Sequence, residues 1–190
     1  IFAQTDFNYA TFAGSCVDGQ FDFTEANCTG VIDFSNVELR AKSKFSEASF
    51  HDEVKFISVN ISEKLEFIRT MFYDDVLLSI HCSGNKIVDM SHALLTQGRL
   101  THKGEDSPNY NLARATLKEI NFEGDNKTLD YLKFENTEFN GFDFSHHKLM
   151  LAENNYTLHH WNGNKGEDES NNNSSLSPAI LESTYLKAKN

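Results

Sequence analysis

Two histidine pairs, His146–His147 in "FSHHKL" and His159–His160 in "LHHW", are the first residues in this chain with metal-binding chemistry in reach. Imidazole pairs bind zinc when both rings converge on one ion. Neighbours on an extended chain point to opposite faces, so neither pair easily brings both rings to one metal. His81 beside Cys82 suggests a thiol nucleophile with its base, but it meets the same objection, and no Asp or Asn lies at a supporting spacing. Asp74–Asp75, Glu105–Asp106 and "EDE" at 167 to 169 are adjacent carboxyls on polar segments. General acid/base work needs two carboxyls facing across a cleft, so these read as solvated loops. Phosphate loops, zinc-binding helix motifs and nucleophile elbows are all missing. No catalytic, cofactor-binding or metal-ligating residue is therefore expected, and no enzyme activity within these residues.

The elements that would have to position such groups are more informative. The 190 residues suit one domain, or one domain with an appendage. Sixteen phenylalanines accompany one tryptophan and two prolines, and the formal net charge is −11. An acidic surface excludes phosphate tracking, which needs clustered Lys and Arg, so no direct nucleic-acid binding is expected. No apolar run approaches a membrane span, and no charged-then-apolar leader precedes Ile1; membrane insertion within these residues is not expected. The chain starts without methionine, as a processed form or a piece of something longer would. Cys16, Cys28 and Cys82 match no metal or redox spacing and read as free thiols, favouring the cytoplasm or another reducing compartment. Six Asn-X-Ser/Thr sequons are what a chain rich in these residues produces by chance.

Aligned on phenylalanine, the chain shows a step of eleven: Phe12, Phe23, Phe34, Phe45, Phe56 and Phe67. A second series lies five residues on: Val17, Cys28, Leu39, Phe50, Ile61 and Phe72. A smaller or apolar residue stands two before each member, so inward positions have offsets 0, 2, 5 and 7. An eleven-residue period also suits a right-handed helical supercoil. At about 100° per residue, however, those offsets fall near 0°, 200°, 140° and 340° and form no single face. Read as extended chain they give two short alternating pairs separated by a corner. Short strands repeating at a fixed period predict a β-solenoid.

The segment "FDFTEANCTGVIDFSNVEL" resembles the pentapeptide-repeat family, in which a central Leu or Phe and a small residue two before it both point inward. The eleven-residue step resembles its Phe-rich variety, in which five- and six-residue units alternate. "YNLARATLKEINF" (Leu112, Leu117, Phe122) and "LKFENTEFNGFDFSHHKL" (Phe134, Phe139, Phe144, Leu149) are similar. The resemblance implies an all-β, right-handed quadrilateral β-helix over 1–161, twenty-two residues per coil. About six or seven coils at the roughly 4.8 Å strand spacing make a rod of about 30 to 35 Å. Phe12, Phe23, Phe34, Phe45, Phe56, Phe67, Leu39, Phe50, Ile61, Phe72, Leu117, Phe122, Phe134, Phe139 and Phe144 form the expected core ladder. His147 falls in an inward slot. Asp22, Lys44 and Glu66 should make one outward column of alternating charge, and Asp33 and Lys55 begin its neighbour.

Between Ile80 and Pro108 the pattern slips by one residue, and "LTHKGEDSP" carries no inward pair, predicting an exposed loop over about 96–109. "EGDNKT" at 123–128 predicts a shorter insertion. Residues 162–176 are polar and acidic and predict a flexible linker. Ser177 and Pro178 then open a helix over 177–190, as cap and first position. That helix suits three uses: closing the solenoid end, forming a homodimer, or starting a further domain. Dimerisation through the solenoid end is a further option.

The function expected is a non-enzymatic scaffold for an unidentified protein partner, within a larger protein, using the rod's faces, the 96–109 loop or the last helix. Two alternatives stand. Some pentapeptide-repeat proteins are acidic rods that mimic DNA toward type II topoisomerases such as gyrase. The rod is otherwise one module of a bacterial effector or membrane protein whose activity lies outside these residues.

Overall fold

Inward and outward side chains alternate through short extended pairs, and this alternation builds the whole architecture. Ile32–Asp33 and Glu38–Leu39 are successive two-residue strands; Ile32, Phe34, Val37 and Leu39 are buried, and Asp33, Asn36 and Glu38 are not. The computed structural model describes residues 1–153. His159, His160, the "EDE" triplet, the 162–176 linker and the 177–190 helix lie outside the described residues.

The strands wind into a β-solenoid of about six turns in which every pairing is parallel. Four stacks define four faces. Face I carries Asp6–Phe7, Asn27–Cys28 and Ser49–Phe50; face II carries Ala10–Thr11 and Ile32–Asp33. Face III carries Cys16–Val17 and Glu38–Leu39; face IV carries Phe21–Asp22, Ser43–Lys44, Leu65–Glu66, Ile87–Asp89, Asn109–Asn111 and Leu132–Lys133. Most partners are twenty-two residues apart, as Phe21 with Ser43 and Ser43 with Leu65. Asp22, Lys44 and Glu66 do form one outward column, continued by Asp89, Asn111 and Lys133.

The corners after the first phenylalanine series are tight turns. Ala26 N–H donates to Phe23 O at 3.1 Å with Glu25 at φ 58°, and Ala48 N–H donates to Phe45 O at 3.2 Å with Glu47 at φ 61°. Positive φ at the third residue alone makes them type II turns, which favour glycine there. Only Gly14 supplies it in this series; Asn36, Ser58, Arg69, His92, Arg114 and Asn136 take the same left-handed conformation. An Asp or Asn just before the inward residue braces several corners. Asp22, Asp33 and Asp89 accept from Thr24, Ser35 and Ser91 N–H at 3.0, 2.8 and 3.2 Å.

Inside, the phenylalanines form two columns that interlock. Phe34 stacks on Phe56 (4.7 Å, 14°), and Phe45 on Phe67 (5.1 Å, 25°). Between columns the contacts are edge to face: Phe34–Phe45 at 84°, Phe45–Phe56 at 86°, Phe56–Phe67 at 84°. This arrangement sets positive ring edges on negative faces. Of the expected ladder, Phe12, Phe139 and Phe144 are partly buried near the rod's ends, and the members from Phe23 to Phe134 are buried.

The slip has a local cause. Ile57 pairs with Ser79 and Val59 with Ile80, so Ser58 has no counterpart in the next coil. Five residues separate Cys82 from Val88 where three separate Ile61 from Leu65, and Leu65 stacks on Val88, one residue beyond the usual register. The expected 96–109 loop is mostly absent. Residues 96–101 belong to the strand Leu94–Thr101, paired along its length with Thr116–Glu123, and Leu100 and His102 are buried as an inward pair. Residues 103–108 alone leave the coil, around a 3-10 turn at Gly104–Asp106. At the other end Phe144 begins a 3-10 turn through His147, followed by the helix Lys148–Glu153, in place of a further coil. Leu149, expected inward, is 76% exposed. Phe142 and Phe144, 4.6 Å apart, fill the tube's end together with Leu151 and leave it no inward slot.

Candidate functional site

Across the corner between faces I and II, three neighbouring coils carry continuous strands. Three residues separate inward Phe72 from Val76, but two separate Leu95 from Gly98 and Leu117 from Ile120. Met71–Cys82, Leu94–Thr101 and Thr116–Glu123 all run unbroken across both faces, the extra residue of the first taken up as a register shift between Phe72 and Asp75. Gly98 makes the close stacking possible: it has φ 132°, and a Cβ there would strike the Val76 carbonyl.

An open trench of about 390 Å³ lies on this surface, lined by Asp75, Leu77, Gln97, Arg99, Glu119, Asn121 and Glu123 with Gly98. Asp75, Gln97 and Glu119 stand in one column, and Leu77, Arg99 and Asn121 in the next. Arg99 reaches Glu123 at 3.4 Å, Thr101 donates to the same carboxylate at 3.2 Å, and Gln97 Nε2 donates to Asp74 at 2.6 Å. Among the described residues no cation is paired with Asp75 or Glu119. No protein-family model and no curated protein matches this chain.

Several outward charges elsewhere are paired. Arg40 holds Asp18 at 2.7 Å and Glu38 at 3.0 Å. On face IV, Lys42 and Lys64 reach Glu66 at 2.8 and 3.3 Å, and Lys64 reaches Asp89 at 3.0 Å. Burial pushes the Asp89 carboxyl upward, but the Lys64 ammonium and Ser91 amide hold it below its ordinary value. Lys64 is raised despite the opposing pull of burial, because Asp89 and Glu66 favour its charge. The charge column is real, but its strongest bonds come from lysines two residues before it, which sequence spacing did not indicate.

The other candidate residues scatter. Cys28 and Cys82 are buried and Cys16 is exposed; all three are free, and burial pushes Cys28 up to about 12. Such thiols are poor nucleophiles. His147 sits inside the tube's end, its ring 5.3 Å from Phe142 and near parallel to it. Among the described residues no group of three His, Cys, Asp or Glu side chains is placed to hold a metal ion. No helix among them is long and apolar enough to cross a membrane.

His102 is the polar residue the sequence concealed. It fills an inward slot, its ring lies 4.2 Å from Tyr131, and its Nδ1 accepts from Gly104 N–H at 3.2 Å. That bond fixes a neutral imidazole with its proton on Nε2. Burial lowers its pKa to about 4, against a weak upward pull from Asp125. A lone histidine among polar residues gave no periodic signal; its spacing from Ile80, twenty-two residues, was the available clue.

Proposed function

We propose that this rod is a non-enzymatic scaffold that binds a protein partner on its outer faces. The continuous surface formed by Met71–Cys82, Leu94–Thr101 and Thr116–Glu123 carries this reading, being built on long paired strands. The pentapeptide-repeat assignment belongs with it, supported by the inward pairs and the twenty-two-residue stacking. The outward column Asp22, Lys44, Glu66, Asp89, Asn111, Lys133 mixes signs, which weighs against mimicry of a uniformly charged DNA edge.

Affinity capture on the immobilised chain tests the proposal. Retained protein that soluble chain competes away is the expected result. Nothing retained above a control surface, across extracts of the source cells, removes it.

A further inference from the structure

The surface across faces I and II brings carboxylates and apolar side chains together. Tyr73 is 43% exposed, and its ring stacks on His51 at 4.8 Å. Tyr73 stands two residues before Asp75 on the same strand, with half-buried Met71, Leu77 and Leu94 on this same outer side. In the trench the carboxylates of Asp75, Glu119 and Glu123 accompany one guanidinium, Arg99, which reaches Glu123. Asp75 and Glu119 are two coils apart, about 10 Å, with Gln97 between them.

The carboxylates without a cation are thus spread along the rod, with Tyr73 on the same strand as Asp75. A single divalent cation needs converging oxygens, and no three of the described carboxylate, imidazole or thiol groups converge. A planar guanidinium suits the surface better: it pairs with a carboxylate through two N–H groups and lies flat on an aromatic face. An apolar centre with aromatic and methionine side chains inside a charged rim is also how protein interfaces are organised.

We propose that this sheet face docks an extended basic segment of a protein partner, arginine side chains meeting Asp75 and Glu119 and an apolar side chain resting on Tyr73 and Leu77. This rests on the scaffold reading and names its partner chemistry. The partner's arginines supply cations for Asp75 and Glu119, and Gln97 and Asn121 offer amide groups to its backbone.

The test uses the full chain and the capped peptide Arg-Leu-Arg-Leu-Arg, with Glu-Leu-Glu-Leu-Glu as its control. Calorimetry should show saturable binding of the basic peptide alone, weakening as salt rises. Amide shifts should gather at Gln97, Arg99 and Asn121. Asp75→Asn with Glu119→Gln, both solvent-facing, should weaken binding by about tenfold, since two surface charge pairs at up to roughly 1 kcal/mol each are lost. Tyr73→Ala should weaken it by about threefold to tenfold, the loss of one partly exposed apolar contact. No binding, equal affinity in the double variant, shifts on another face, or displacement of the peptide by millimolar calcium chloride would each overturn the proposal. A rod that captures partners yet ignores the peptide overturns this inference alone; one that does neither removes the scaffold reading as well.

Discussion

The rings of Phe45 and Phe56 meet edge to face inside the tube, their centroids 5.2 Å apart and their planes at 86°. Each also stacks on a ring of its own column, Phe45 on Phe67 and Phe56 on Phe34. One side chain thus supports contacts along and across the rod. Replacing Phe45 by Ala should cost about 3–5 kcal/mol through lost burial and the cavity left behind. A double-mutant cycle of Phe45→Leu and Phe56→Leu in urea should give a coupling of about 0.5–1.5 kcal/mol. Strict additivity would mean that the edge contact contributes nothing beyond burial.

Glu47 holds a left-handed conformation at its corner, φ 61°. A glycine loses nothing there sterically, whereas a β-branched residue clashes with its own backbone. Glu47→Gly should leave stability unchanged or raise it by up to about 1 kcal/mol, and Glu47→Val should lower it by about 1–2 kcal/mol. The midpoint of chemical denaturation reads both. Equal effects would show that this corner is not strained.

Gly98 and Gly19 make a matched pair. A Cβ at Gly98 runs into the Val76 carbonyl, whereas one at Gly19 meets open space. Gly98→Ala should therefore cost about 1–3 kcal/mol through overpacking, and Gly19→Ala should be nearly neutral. Thermal unfolding of the two variants beside the parent chain checks this. A tolerated Gly98→Ala would contradict the close stacking of the face I–II surface.

His102 gives stability an acid dependence. Its folded pKa, about 4, lies below the ordinary 6.5, so between those values the unfolded chain binds a proton that the folded chain does not. Its contribution is complete above pH 6.5 and is lost as pH falls toward 4. Protonation also turns Nδ1 from acceptor to donor against Gly104 N–H. Hydrogen exchange should show residues 103–108 losing protection over this range before the phenylalanine core does. His102→Gln should flatten the dependence; an unchanged slope would place the titration elsewhere.

Much of this fold was legible because a period-two pattern inside an eleven-residue repeat leaves few alternatives. Phe23, Phe34, Phe45 and Phe56 declare the inward column, and their spacing places Asp22, Lys44 and Glu66 in register. The left-handed corners were not legible, since Glu25, Glu47 and Arg69 lack the glycine that usually marks such a turn. Stacking on both neighbouring coils holds them there against local preference. Leu100 and His102 were missed for a related reason: Gly98 and His102 occupy slots that the preceding coil fills with Val76 and Ile80. The trench was hidden because it depends on strands running on through a corner, which joins two faces and leaves composition unchanged. The chain's end was misjudged at Leu149, where Phe142 and Phe144 close the tube early.

Stacking of the coils is most directly tested by amide-to-amide NOE contacts in the labelled chain. Cross-peaks should link the Phe21–Asp22, Ser43–Lys44 and Leu65–Glu66 strands in succession, and Val54–Lys55 with Val76–Leu77. A spectrum dominated instead by contacts three and four residues apart, with none across the twenty-two-residue spacing, would contradict the solenoid and every surface built upon it.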